Sequence, residues 1–384
     1  MLTRQRLVTY GISSAAFATI ALVAGLTPWT RQAKEEPQVT YTVAGNGREV
    51  DVVFAVDTTG SMSGLIEGAK RTVWSIANHI KKTDANASVR IGLVAYRDIT
   101  DDYITREFAL TGDLDAVFAE LSSYYAAGGN DIPEHVNAAL DVTLHKMQWR
   151  PGAKKLVFLV GDAPPAVRGG VPTFDALARE AAGKQIVINT IHCVDVSNPE
   201  AAAQTAEAFQ QIASLSHGEF SAIQQNGGVQ QIATPYDDKL AELSERIDST
   251  AIIAGDESVR RGYAMKMEAA AAAPPAAKAD RAAYFADEGV KGRASNDVVG
   301  GVATGAMTID GLAEEDLPAE YRGMDKDAFR AEVKKRGAER EAAQKEIAEL
   351  LRKRDEYMAG KAKDAGGEGG FDVKVKQALE AQLK

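Results

Sequence analysis

The chain has 384 residues and a formal net charge of -10, from 44 basic and 54 acidic side chains. Apolar residues make up 45%, enough to bury the core of one large or two modest domains. The acidic balance excludes sequence-independent binding to nucleic acid, which needs a basic patch. A single cysteine, Cys193, excludes an intramolecular disulfide.

At the amino end, Arg4 and Arg6 precede an uncharged stretch over 7–30 that Arg31 closes. Two readings of 1–31 stand: a secretory signal peptide with Leu22-Val23-Ala24 before the cleavage point, or an uncleaved anchor, since the stretch is long enough to span a bilayer. Basic residues ahead of it fit an amino terminus left in the cytoplasm. Either reading expects the rest of the chain to be exported, periplasmic or extracytoplasmic, held to the inner membrane if the segment is retained. Residues 32–48 are polar and aperiodic, a tether.

From 49 to 253, β-rich apolar runs alternate with amphipathic helical stretches. Strands are expected at 50–56, 89–96, 103–110, 156–160, 186–194 and 219–223. Helices are expected at 65–80, 114–125, 133–147 (entered with Pro133 in its first turn), 174–182, 199–215 and 229–248. Such alternation predicts an α/β fold, a doubly wound and mostly parallel sheet with helices on both faces. The strands are apolar on both sides, as doubly covered sheets require. The pair 89–96 and 103–110 reads as a hairpin and predicts one antiparallel edge strand. Cys193 falls within an apolar strand and reads as an inert core thiol.

Beyond this domain, Ala-, Pro- and Gly-rich composition over 254–324 predicts a flexible linker. The 325–384 region is expected to be charged and helical. Its apolar positions Phe329, Val333, Ala343, Ile347, Leu350 and Tyr357 form a seam interrupted by Arg336, Arg340 and Arg354, the pattern of a solvated helix or weak coiled coil.

The chemistry concentrates in DVVFAVDTTGSMSG (51–64). An apolar strand ends in Asp57, and Thr59 and Ser61 follow at alternating positions in a turn that Gly60 permits. Ligands of doubly wound sheets sit beyond the carboxyl ends of the strands, and the strand at 156–160 delivers Asp162 to that same edge. A loop at 126–135 brings Asp131 and Glu134 there, with Gly128 and Gly129 letting backbone approach closely. Carboxylates and hydroxyls without His or Cys suit a hard divalent cation. Mg2+ is the first choice, with Mn2+ or Ca2+ as alternatives. The competing reading, that Asp57 and Thr59 merely cap the helix starting near Ser63, leaves Asp162 unexplained. His135 reads as a surface residue of a first helical turn, and Asp98, Asp101 and Asp102 as a solvated acidic loop.

DTTGSM (57–62), in the setting DVVFAVDTTGSMSGLIEGAK, resembles the Asp-x-Ser/Thr-x-Ser motif of von Willebrand factor type A (VWA) domains, of the exported bacterial type. The resemblance continues through RIGLVAYRD (90–98), GGNDIPEHVNAAL (128–140), KLVFLVGDAPP (155–165) and the INTIHCV…FQQIASLSHGEF segment, and covers 49–253. It implies a metal-ion-dependent adhesion site (MIDAS). Thr59 and Ser61 would bind the metal directly, Asp57 and Asp162 directly or through water, and an open position would accept a carboxylate from a protein partner. This chain departs from the family where the loop usually supplies a threonine, since no Thr or Ser lies between Ala126 and Val136. Asp131 is the best substitute, with Asn130 and Glu134 behind it. An added charge there lowers the attraction for a partner carboxylate. LPAEYRGMDKDAF in the tail also resembles C-terminal regions attached to exported bacterial type A proteins.

The expected function is cation-dependent protein–protein interaction or adhesion, without enzymatic activity. Two alternatives are a metal-stabilised scaffold whose C-terminal helix binds partners and a metal-dependent hydrolase using Glu134 or His135 as base.

Overall fold

Strand β1 (Glu49–Asp57) is buried from its second residue to its last. It lies in the middle of a six-stranded sheet of order β3-β2-β1-β4-β5-β6. The structure is a computed structural model that describes residues 48–84, 86–129, 133–225, 233–288, 295–362 and 370–383. β1 runs parallel to β2 (Ser88–Tyr96) and to β4 (Lys154–Gly161). β5 (Ile186–Val194) and β6 (Phe220–Gln224) extend the parallel sheet. β3 (Thr105–Thr111) pairs antiparallel with β2 at the edge. The expected doubly wound sheet with one antiparallel edge strand is therefore what forms.

Alternation along β1 explains why every position from Val52 to Val56 is apolar. Val52, Phe54 and Val56 enter one core layer with α1 (Ser63–Thr83) and α2 (Leu114–Ser122). Val53 and Ala55 enter the other, under α3 (Val136–His145), α4 (Phe174–Gly183) and α5 (Pro199–Leu215). Successive strand side chains point to opposite faces, so a sheet covered twice has no polar side. Cys193 is buried in the first layer, and burial pushes its thiol well above the ordinary value.

Three sequence expectations are corrected. The helix expected from 133 begins instead at Val136, because Glu134 is held in an isolated parallel bridge with Pro165 and His135 forms the cap. His135 is accordingly buried rather than on the surface; its Nδ1 accepts the Ala138 amide at 3.2 Å. The supposed linker over 254–324 carries three helices, α7 (Glu257–Ala272), α8 (Pro275–Glu288) and α9 (Val298–Thr304). Its alanines, poor in apolar area singly, are strong helix formers. Ala270, Ala273, Ala277, Ala279 and Ala282 let α7 and α8 settle into the cores under α1, α2 and α6 (Asp237–Ser249). Residues 45–384 accordingly form one compact unit.

The charged helix is not solvated along its seam. α10 (Lys326–Ala362) buries Phe329, Val333, Ala343 and Ile347 against α6, α8 and α9. The arginines that interrupt the seam are ion-pair anchors. Arg340 donates to Asp297 Oδ2 at 2.5 Å and to Thr250 Oγ1 at 2.8 Å. Arg354 bridges Asp237 and Asp280, each at 2.8 Å. Finally α11 (Phe371–Leu383) closes the first core layer beside α1. No helix among the described residues is long and apolar enough to cross a membrane; the segment 1–31, expected from the sequence to be a signal or anchor, lies outside them.

Candidate functional site

β1 delivers Asp57 to the carboxyl edge, in register with Tyr96 at the end of β2. Asp57 is fully buried. Its Oδ1 accepts the Thr59 amide at 2.8 Å and the Thr59 hydroxyl at 2.6 Å. The Thr59 and Ser61 oxygens lie 3.4 Å apart, so the two hydroxyls do face one another. Neither Asp57 nor Thr59 caps the helix that follows. Asp57 Oδ2 is buried without a hydrogen-bond partner among the described residues. An orphaned carboxylate oxygen is costly unless something else satisfies it.

β4 ends beside it. A Cβ on Gly161 would stand 3.4 Å from Asp57 Oδ2 and 2.4 Å from the Tyr96 hydroxyl, so the strands approach as closely as glycine allows. Asp162 follows directly, and its Oδ2 accepts the Gln225 amide at 2.9 Å. Burial, and after it the charge of Asp162, push the Asp57 carboxyl up to about 7. Asp57, Thr59, Ser61 and Asp162 thus lie at one edge of the sheet.

The third loop enters over 124–129. Gly129 has φ 72°, and a Cβ there would meet Thr59 Cβ at 2.8 Å and Glu134 Oε1 at 3.3 Å. Only glycine lets Thr59 and Glu134 sit on either side of this backbone. Glu134 is buried, with Oε2 unpartnered among the described residues. Burial first, then Asp57, Asp101, Asp98 and Asp162, raise its carboxyl to about 9. Asp131 and Asn130, named from the sequence as substitutes for the family threonine, lie outside the described residues.

The acidic loop after β2 is only partly solvated. Asp98 is buried and paired with Arg168. Burial would raise its carboxyl, but the Arg168 hydrogen bond wins and holds it low. Asp101 accepts the Gly129 amide at 3.2 Å, tying this loop to the glycine turn.

Arg97 was not singled out in the sequence. It is buried, with Nε donating to the Thr58 carbonyl at 3.1 Å and Nη2 to the Tyr125 carbonyl at 2.9 Å. Its guanidinium lies 4.5 Å from the Tyr103 ring centroid and 5.3 Å from that of Tyr125. Arg97 thereby ties the Asp57 turn to the glycine loop. Its place right after the apolar run of β2, in RIGLVAYRD, was the available signal. Nothing local marked Gln225.

Does this donor set fit a cation? Two carboxylates and two hydroxyls are hard oxygen donors that suit such a cation, and the Asp57 Oδ2 has no hydrogen-bond partner among the described residues. Among the described residues no three His, Cys, Asp or Glu side chains cluster closely enough to hold a metal by themselves. Within the described residues, such a site would draw on the Thr59 and Ser61 hydroxyls.

Residues 51–225 match the family model of the von Willebrand factor A domain. The segment is thus similar to VWA domains, a class that generally mediates protein interactions. Over 133 residues the chain is 29% identical to the alpha-protein kinase vwkA of Dictyostelium discoideum, covering 34% of this chain and 21% of that protein. It is 28% identical over 120 residues to a putative ariadne-like RING finger protein of Acanthamoeba polyphaga mimivirus, covering 31% and 12%. The match therefore spans a minor part of each of these two relatives. Among solved structures, the conserved hypothetical protein BatB from Bacteroides thetaiotaomicron is 16% identical, with 46% of this chain and 90% of that chain covered at a TM-score of 0.35.

Proposed function

We propose that the VWA domain binds one divalent cation, Mg2+ first among them, through Asp57, Thr59, Ser61 and Asp162, and uses that face to hold another protein. The observation that carries this reading is the buried, unpartnered Asp57 Oδ2 beside two facing hydroxyls and a second carboxylate. A bound dication would satisfy that oxygen and draw the proton off the Asp57 carboxyl. Glu134, which lies across Gly129 from Thr59 and has Oε2 unpartnered among the described residues, is the described candidate for the place of the family threonine. The cation would orient loops and polarise a partner's oxygen; the reading assigns no reaction to the site. Export and anchoring through 1–31 belong to the same proposal and rest on the sequence.

The alternative in which the C-terminal helix captures partners is less supported, since the apolar seam of α10 is used internally. Calorimetric titration of the full chain with Mg2+ or Mn2+ tests the cation. One binding event, abolished in Asp57→Ala, is expected; absence of heat from the wild type overturns the reading.

A further inference from the structure

The loops around Asp57 carry an unusual share of exposed apolar side chains. Ile99 and Ile104 flank the loop between β2 and β3, and Tyr125 leads into the glycine turn. Val167 follows β4 and Val196 follows β5. Val167 is 91% exposed, Val196 85% and Tyr125 60%. β1, β2, β4 and β5 are parallel, and antiparallel β3 begins at the edge where β2 ends. All five residues therefore surround one face. Other large exposed apolar residues, Met265, Met324 and Val373, lie in the C-terminal region. Exposed apolar side chains gathered on one face among polar groups mark an interaction surface.

The charge of this face selects the partner. Asp57 and Asp162 occupy the centre, with Asp101, Asp102 and Asp195 in the loops around it. The cationic groups of these loops are already engaged: Arg168 with Asp98, and Arg97 with Asp102 at 3.7 Å. A single dication offsets only part of the excess. An incoming carboxylate would meet residual negative potential, whereas a lysine or arginine would be drawn in.

We propose that the partner is a separate polypeptide presenting lysine or arginine beside aliphatic or aromatic side chains, the basic groups facing Asp101, Asp102 and Asp195 and the apolar ones covering Tyr125, Val167 and Val196. This rests on the protein-binding reading of the same face and specifies its occupant.

The test is selection of a random-peptide phage library on the full chain in Mg2+, alongside the calorimetric Mg2+ titration. Enriched peptides are expected to pair Lys or Arg with Leu, Ile, Phe or Trp and to be poor in Asp and Glu. Val167→Ser and Val196→Ser are each expected to weaken those peptides at least tenfold while leaving Mg2+ binding unchanged. Peptides led by Asp or Glu, no enrichment, or indifference to both substitutions overturns the proposal. Self-association of the chain that disappears in Val167→Ser also overturns it, assigning the face to a second copy. Normal Mg2+ heat with acidic peptides sinks only the partner's chemistry. Basic apolar peptides without Mg2+ heat sink only the cation.

Discussion

At the scale of single residues, Asp57 combines a place at a strand end, a turn-forming hydrogen bond and an oxygen left unpartnered. Its carboxyl stands at about 7 in the fold against an ordinary 3.8, through burial and then Asp162. Glu134 stands at about 9 against 4.5, again through burial first. Between the ordinary and folded values the native chain keeps protons that the unfolded chain has released, so stability falls as pH rises through those windows. In chelator, these two groups make the chain progressively less stable from about pH 4 to pH 9. Asp57→Asn is expected to remove part of that slope between about 4 and 7, a gain of a few kcal/mol near neutrality. Added Mg2+ must displace protons, so its stabilisation is expected to be larger at pH 8 than at pH 5. Calorimetric melts of wild type and Asp57→Asn, with chelator and with Mg2+, check both signs. A wild type and variant with the same pH slope in chelator would reject the assignment. Asp57, Thr59, Ser61 and Asp162 were legible because strand ends and turn spacing are local. Arg97 and Gln225 were not, because their roles come from carbonyls and carboxylates on other segments.

At the scale of elements, sequence periodicity located the strands and the charged helix after 325 well, but misread the helices of 254–324 as a linker and the seam of α10 as solvated. An arginine within an apolar seam reads as an interruption when its partner is far along the chain. Arg281 on α8 shows why. It is buried and donates to Asp115 Oδ1 at 2.7 Å and Oδ2 at 2.6 Å, 166 residues away, and to Asp248 at 2.7 Å. Those contacts join α8 to α2 and α6, so the region read as a linker is bolted to the domain. Breaking a buried pair by removing one partner leaves an uncompensated charge, at a cost of about 3–5 kcal/mol. Arg281→Leu is expected to destabilise by that amount in urea unfolding. Adding Asp115→Leu is expected to restore a large part of it, with Asp248 still able to reach water. Equal losses in the single and double variants would show that shape rather than charge sets the cost.

At the scale of the whole molecule, the first core layer is completed by the last helix of the chain. The Phe371 ring sits 6.0 Å from Phe54, three residues before Asp57 on β1. Val375, Leu379 and Leu383 are buried below it. Gln382 and Asn189 of β5 exchange amide hydrogen bonds at 2.6 and 3.1 Å, and Arg48 donates to the Leu383 carbonyl. No local pattern announces that a short helix beyond GGEGG returns to the sheet on which the chain began. Each buried large apolar side chain contributes about 1.5–3 kcal/mol, and ordering the helix offsets part of that sum. A chain ending at 362 should therefore fold with the Phe54 face uncovered. It is expected to melt roughly 5–10 °C lower, allowing about 2–4 °C per kcal/mol in a domain of this size, and to bind an apolar fluorescent dye that the full chain excludes. Because the α1 side and the carboxyl edge of the sheet remain, Mg2+ heat is expected to survive the truncation in the cold. A truncated chain that melts with the full one and leaves the dye dark would mean that α7 and α8 alone close the layer, with α11 a passive addition.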